Sequence, residues 1–137
     1  MRKLFLHACG LLFAAFISSC ATEPDYKQIR SEVVTVHDKV MADGDVTFRQ
    51  RTLLDSLLRT GSLSVKAQNS AKNTIAKIDH ANHQMEHWMN NFEPDVSHIK
   101  GAPAMYFTGE LEKVKALDSL FRKVMVQSDH LLDSLKL

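Results

Sequence analysis

A run of mostly apolar residues spaced by three and four positions, within residues 71–92, constrains the fold more than any other feature of the sequence. Spacing of this kind places side chains on one face of an α-helix that packs lengthwise against other helices. Ala81 and Trp88 widen the stripe on one side. The run therefore predicts a long core helix in a helical bundle. Its members are Ala71, Ile75, Ile78, Asn82, Met85, Met89 and Phe92.

A first helix is predicted to precede this one. Thr22-Glu23-Pro24-Asp25 has the form of a capping box with proline in the first turn, so the helix is expected to begin at about Asp25. Glycine and aspartate are poor in helix interiors, so Asp43-Gly44-Asp45 predicts a kink or a break. Gly61 is a suitable stop, with Ser62 or Ser64 as the next cap. The apolar stripe of this helix consists of Ile29, Val33, Val36 and Val40, resumed by Phe48, Leu54, Leu57 and Leu58.

A third helix is predicted after Glu93-Pro94-Asp95, because proline disfavours helix in the residue before it. It begins near Ala104, with Thr108 as an alternative cap. Its stripe consists of Phe107, Leu111, Val114, Leu117, Phe121, Met125, Ser128, Leu132 and Leu135.

The three helices are similar in length, at roughly 45–52 Å each. The first connection is short and the second spans about ten residues, which suits antiparallel neighbours. With only 5 glycines and 3 prolines in 137 residues, the composition favours helix. The sequence predicts an all-α fold, an up-down-up antiparallel three-helix bundle with its first helix kinked near Asp43–Asp45.

The N-terminus has the form of a bacterial export signal. Arg2-Lys3 is a basic start, and residues 4–17 form an apolar segment too short for a stable membrane span. Ile17-Ser18-Ser19-Cys20 resembles the lipobox of bacterial lipoproteins. That resemblance implies cleavage before Cys20 and lipidation of Cys20, and several acyl chains would anchor a domain firmly. An ordinary secretory signal with a chance cysteine is the alternative.

This leader predicts three parts: a signal peptide at 1–19, a lipidated tether at 20–25 and a helical bundle domain at 26–137. Ala21, rather than aspartate, follows the cysteine, which is typical of outer-membrane sorting. Both orientations of the domain, towards the periplasm and towards the cell exterior, agree with this sorting signal. Cys9 would leave with the signal, so neither a disulfide nor a cysteine-based metal site is expected.

The histidines His80, His83 and His87 share the helix face opposite the stripe. They predict either exposed polar residues or a surface site for a divalent metal such as copper, zinc or nickel. A specific metal site needs ligands that converge from several directions, and one open helix face does not supply them. A weak, adventitious affinity for such metals is the expectation, with no cofactor.

A second cluster is predicted from His37 and Met41 on the first helix and Met85, Trp88 and Met89 on the second. Methionine at helical spacing usually fills a core, so we expect a methionine-rich interior. Binding of Cu(I) or haem by these residues with His37 is the alternative. The methionines concerned are Met41, Met85, Met89, Met105 and Met125. Trp88 is expected in the core, where its indole N–H needs an acceptor, with partner docking as the alternative.

Two stretches resemble a group of small lipoproteins of the Bacteroidota. These proteins carry H-D-x-V-M early and M-x-x-W-M centrally, here His37-Asp38-Lys39-Val40-Met41 and Met85-Glu86-His87-Trp88-Met89. Some are labelled viral A-type inclusion proteins, a label that reflects coiled-coil similarity and implies no function. His87 stands where the group usually has an aspartate. The resemblance implies that the two stretches meet in the fold.

The sequence contains no G-x-S-x-G, H-E-x-x-H or phosphate-binding loop, so an enzyme is not expected. Its formal charge of +1 gives no basic surface for nucleic acid. We therefore expect a lipid-anchored, non-enzymatic scaffold or partner-binding bundle in the cell envelope. Its expected partners are the membrane, through the lipid on Cys20, and another envelope protein. A periplasmic metal-binding or metal-sensing protein is the alternative.

Overall fold

Three long helices make up the fold in the computed structural model, which describes residues 25–96 and 103–135. They are α1 at Tyr26–Thr60, α2 at Val65–Asn91 and α3 at Pro103–Leu135. The predicted signal peptide, Cys20 and most of the connection between α2 and α3 lie outside the described residues. No helix in the described part of the chain is long and apolar enough to cross a membrane.

Contacts between the helices confirm the up-down-up bundle. Arg51 on α1 donates to Asp79 on α2, whereas the ring of His37 lies beside that of Trp88, so α1 and α2 run antiparallel. The contact between α1 and α3 is the most extensive. These two helices run parallel, because Lys115 contacts Glu32 early in both helices and Gln50 contacts Asp129 late in both.

The helix ends follow from local chemistry. Asp25 caps α1 by accepting a hydrogen bond from the backbone nitrogen of Lys27 at 3.0 Å. The expected start near Asp25 is confirmed, but Asp25 itself is the cap rather than the first residue of the Thr22–Asp25 capping box. Gly61 ends α1 with a φ of 68°, a left-handed conformation that glycine adopts without strain. Ser64 caps α2 through the backbone nitrogen of Ala67, which confirms the second of the two candidate serines.

Helix α1 runs through Asp43-Gly44-Asp45 without interruption, so the expected break is wrong, while a bend of the continuous helix stays a prediction. Gly44 faces the ring of Phe121, so this segment packs against α3 rather than forming a turn. The hydroxyl of Thr47 donates to the carbonyl oxygen of Gly44. Because the helical register continues, Thr47 is buried in the core. Phe48, expected to face inward, is 63% exposed.

The buried face of α2 lies one helix position to the side of the predicted stripe. Its buried residues alternate by three and four positions, but Thr74, Ala81 and Trp88 replace Ile75, Asn82 and Met89. Small side chains at positions 71, 74 and 81 let α1 and α3 pack close to α2, while the large indole of Trp88 is buried in the core. The full buried set is Ala71, Thr74, Ile78, Ala81, Met85 and Trp88.

The methionine-rich interior is therefore wrong. Met85 is buried at 4% exposure and Met125 is half-buried, but Met41, Met89 and Met105 are exposed. Valine, leucine, isoleucine and phenylalanine fill the core instead. Their stiffer side chains specify one packing better than methionine does.

The core divides into two apolar clusters. One surrounds Trp88, Met85 and Phe121, and the other surrounds Leu54, Ala71 and Leu132. Buried polar residues lie between the two clusters along the bundle: Thr47, Gln50, Thr74 and Ser128. Buried polar groups of this kind fix the register of packed helices at some loss of stability.

Candidate functional site

A buried hydrogen bond joins α2 to α3 near the end of the bundle where the chain enters. The indole Nε1 of Trp88 donates to Oε2 of Glu110 at 2.8 Å, and both residues are buried. The other carboxylate oxygen of Glu110 accepts from Lys113 Nζ at 2.7 Å, and Lys113 extends into solvent. Each oxygen of this buried carboxylate therefore has a donor, as a buried charge requires.

An open groove of about 410 Å³ lies over this network, between α2 and α3; we call it the Trp88 groove. Leu117, Leu120, Ala116 and Trp88 supply its apolar lining. The polar lining consists of His80, Gln84, His87, Asn91, Glu110 and Lys113. Six of the ten lining residues are therefore polar, and they surround an apolar area formed by the other four. Apolar area combined with polar groups that fix orientation is typical of binding sites.

The three predicted metal ligands do not point to one place. His80 and His87 line the Trp88 groove, whereas His83 lies beside Glu86 at 3.7 Å, away from the groove. All three are exposed. Among the described residues, no group of three His, Cys, Asp or Glu side chains is close enough to hold a metal ion. The metal site therefore stays a prediction.

His37 and Trp88, named together from the sequence, do meet. Their ring centroids are 5.6 Å apart, and Met89 lines the same small pocket on the α1 side of α2. Met85 lies in the core beside Trp88, whereas Met41 is exposed outside this pocket. Trp88 thus contributes to two surfaces, with His37 on one side and the groove on the other.

Aromatic rings close this end of the bundle. The ring centroid of Phe92 lies 4.9 Å from that of Trp88, on which it stacks, and 6.4 Å from that of Phe107. Phe107 in turn stacks with Tyr26 at a centroid distance of 6.1 Å. Tyr106 holds the chain that leaves α2 by accepting a hydrogen bond from the backbone nitrogen of Glu93 at 2.7 Å. Trp88 is therefore held on several sides by its neighbours within the bundle.

Ion pairs fix the register of the helices away from the groove. Lys39 on α1 bonds to Asp118 on α3 and also to Asp43, and the hydrogen bond to Asp118 raises the pKa of Lys39. The pKa of Arg51 is likewise raised, by the hydrogen bond from Arg51 to Asp79. Asp118 lies between α1 and α3, where it contacts Lys39, and Ser128 is buried in the core.

Glu110 is a buried residue of the site that was not predicted from the sequence. A signal for it exists, because Glu110 stands three residues after Phe107 and four before Val114, on the inward face of α3. The stripe had instead been drawn through Leu111, which is half-buried. A glutamate at a core position and a tryptophan that needs an acceptor, on neighbouring antiparallel helices, together predict the pair.

Comparison of the chain with protein-family models, curated proteins and solved structures gives no match. The resemblance to the Bacteroidota lipoproteins stays a prediction.

Proposed function

We propose that the chain is a lipid-anchored helical bundle of the cell envelope that binds a partner through the Trp88 groove and performs no catalysis. The export signal and Ile17-Ser18-Ser19-Cys20 support the anchor, since several acyl chains hold a soluble domain at a membrane. Ala21 after the cysteine supports the outer membrane as the location. A membrane tether of six residues would keep the Trp88 end of the bundle close to the lipid.

The observation that carries the binding role is the buried Glu110–Trp88 pair beneath an open groove. A leucine at position 110 would fill this core position without the desolvation of a carboxylate. Keeping a charge there fixes the indole and the ammonium of Lys113 in one arrangement next to solvent. Such fixed groups lower the cost of ordering a surface when it binds.

Photo-crosslinking in intact cells tests this function. A photoreactive residue at Gln84, which lines the groove, should give a discrete product with another envelope protein. The same residue at Lys72, exposed on α2 outside the groove, should give none. Ala116→Trp should fill the groove and remove the product, because Ala116 is exposed and its replacement leaves the core intact. Equal products at positions 84 and 72, or none at 84, would refute binding at the groove.

A further inference from the structure

A second groove lies at the opposite end of the bundle, where α1 and α3 end. It has a volume of about 720 Å³, and no residue of α2 lines it. Leu53 at its edge is 56% exposed. We call it the Leu53 groove; its aliphatic lining consists of Val46, Leu53, Leu57, Leu63, Leu132 and Leu135.

The apolar surface is confined to one half of the α1–α3 boundary. In the other half, polar side chains cross between the helices: Lys115 Nζ lies 2.7 Å from Glu32, and Lys39 pairs with Asp118. From Val46 onward, aliphatic side chains line the boundary together with polar ones, and Gln50 donates to Asp129 across it. A groove between two helices that combines exposed aliphatic side chains with charged walls has the form of a helix-docking site.

We propose that the Leu53 groove is the interface through which two copies of this chain associate. Both signs of charge lie on its walls, with Arg49 on α1 and Asp129 on α3. The two positions are at the same height, because Gln50, next to Arg49, donates to Asp129 at 2.6 Å. Among the described residues Arg49 forms no ion pair of its own.

A two-fold axis along the groove makes these charges complementary. It places the α1 wall of one copy over the α3 wall of the other, so each Arg49 faces Asp129 of the second copy. Leu53 then lies against the aliphatic lining of the opposite groove and leaves water. An isologous contact of this kind closes on itself and stops at two copies.

The parallel orientation of the two copies rests on the proposed lipid anchor. An axis along the helices keeps both N-termini at the same end, so both chains attach to one membrane. The groove lies about 40 Å along α1 from the first helical residue, since Leu53 follows Tyr26 by 27 positions at ~1.5 Å each. A second copy, rather than lipid, is therefore the occupant that reaches the groove of an upright bundle.

Photo-crosslinking of the full-length chain in its membrane tests the dimer. A photoreactive residue at Leu53 should give a product of twice the chain mass. Phe48 is the matched control, because it is also apolar and more than half exposed on α1 but does not line the groove. A product of Leu53 with a different protein, no product at all, or equal dimer products from both positions would each overturn the proposal.

A second measurement covers the case in which the photoreactive residue perturbs packing. Leu53→Glu in the full-length chain should raise the dimer dissociation constant at least tenfold by sedimentation equilibrium in detergent, with unchanged helix content by circular dichroism. Phe48→Glu should leave the constant unchanged. A dimer unaffected by Leu53→Glu would refute the interface. The outcome is independent of the Gln84 test, because a monomer still yields the Gln84 product if the Trp88 groove binds its partner.

Discussion

The indole nitrogen of Trp88 and Oε2 of Glu110 lie 2.8 Å apart in the interior, joining the second helix to the third. Trp88 is the single tryptophan of the chain, so its fluorescence reports this contact without interference. The pair also lies beneath the proposed binding groove. Stability and binding can therefore be measured at the same two residues.

Replacing Glu110 should separate the loss of an acceptor from the loss of a charge. Glu110→Leu leaves the indole N–H of Trp88 buried without a partner, which costs about 1–3 kcal/mol. Glu110→Gln keeps an acceptor for the indole and should cost about 1 kcal/mol or less. Urea unfolding followed by Trp88 fluorescence measures both. Equal losses for the two variants would show that the hydrogen bond to Trp88 does not stabilise the bundle.

Met85 and Met89 should respond very differently to truncation, although both belong to the predicted stripe. Met85 is 4% exposed and Met89 is 40% exposed. Met85→Ala should cost about 2–5 kcal/mol, because it removes buried volume and leaves a cavity. Met89→Ala should cost less than about 1 kcal/mol, since surface substitutions have small effects. Urea midpoints of the two variants measure the difference, and similar losses would place the buried face of α2 where the sequence stripe put it.

The helical architecture could be predicted because it depends on signals that are local in the sequence. Gly61 and Ser64 act as stop and cap through their own backbone and hydroxyl groups. The spacing of apolar residues also gives the approximate face of each helix. The direction of that face to within one position is not local, because it depends on what the neighbouring helices present.

Three misassignments have this common cause. Phe48 was expected inside because a break at Gly44 would have reset the register of α1, but the ring of Phe121 packs over Gly44 and the helix continues. Met89 was expected inside because methionine is apolar, yet Trp88, which contacts His37 on α1 and Glu110 on α3, is the buried residue. Glu110 was missed because a carboxylate at a core position becomes favourable only once its donors are known.

Gly44 and Gly61 should respond with opposite signs to replacement by alanine. A Cβ at Gly44 would lie 3.6 Å from Phe121 Cε1, an ordinary contact distance, and alanine is the better helix former. Gly44→Ala should therefore stabilise the bundle by about 0.5–1 kcal/mol. Gly61 has a φ of 68°, so Gly61→Ala should destabilise it by about 1–2 kcal/mol. Thermal unfolding measures both, and a destabilising Gly44→Ala would mean that the approach of α3 is closer than this contact.

Lys39 should contribute stability that is lost at alkaline pH. Its hydrogen bond to Asp118 raises its pKa in the folded state above the usual value of 10.5. A raised folded pKa stabilises the bundle fully below the unfolded pKa, and the contribution disappears as the pH rises through the folded value. Lys39 is half-exposed, so the effect should stay below about 1 kcal/mol.

The matched variant for this contribution is Lys39→Gln. Its urea midpoint should lie below that of the wild type at pH 8, and the difference should shrink by pH 11. A difference that stays constant between these pH values would mean that the ammonium of Lys39 does not stabilise the bundle through Asp118.

Removal of single imidazoles should show whether the histidines of α2 bind metal as a set. His80 and His87 line the Trp88 groove while His83 lies beside Glu86, so the three side chains do not converge. Tag-free protein titrated with Zn²⁺, Cu²⁺ or Ni²⁺ by calorimetry should therefore bind more weakly than ~0.1 mM, as expected for separate surface imidazoles. His83→Ala should leave the metal affinity unchanged, because the side chain of His83 does not converge with those of His80 and His87. If the wild type binds metal more tightly than ~0.1 mM and His83→Ala loses this binding, the result would support the metal-binding alternative. It would also require the three imidazoles to move together.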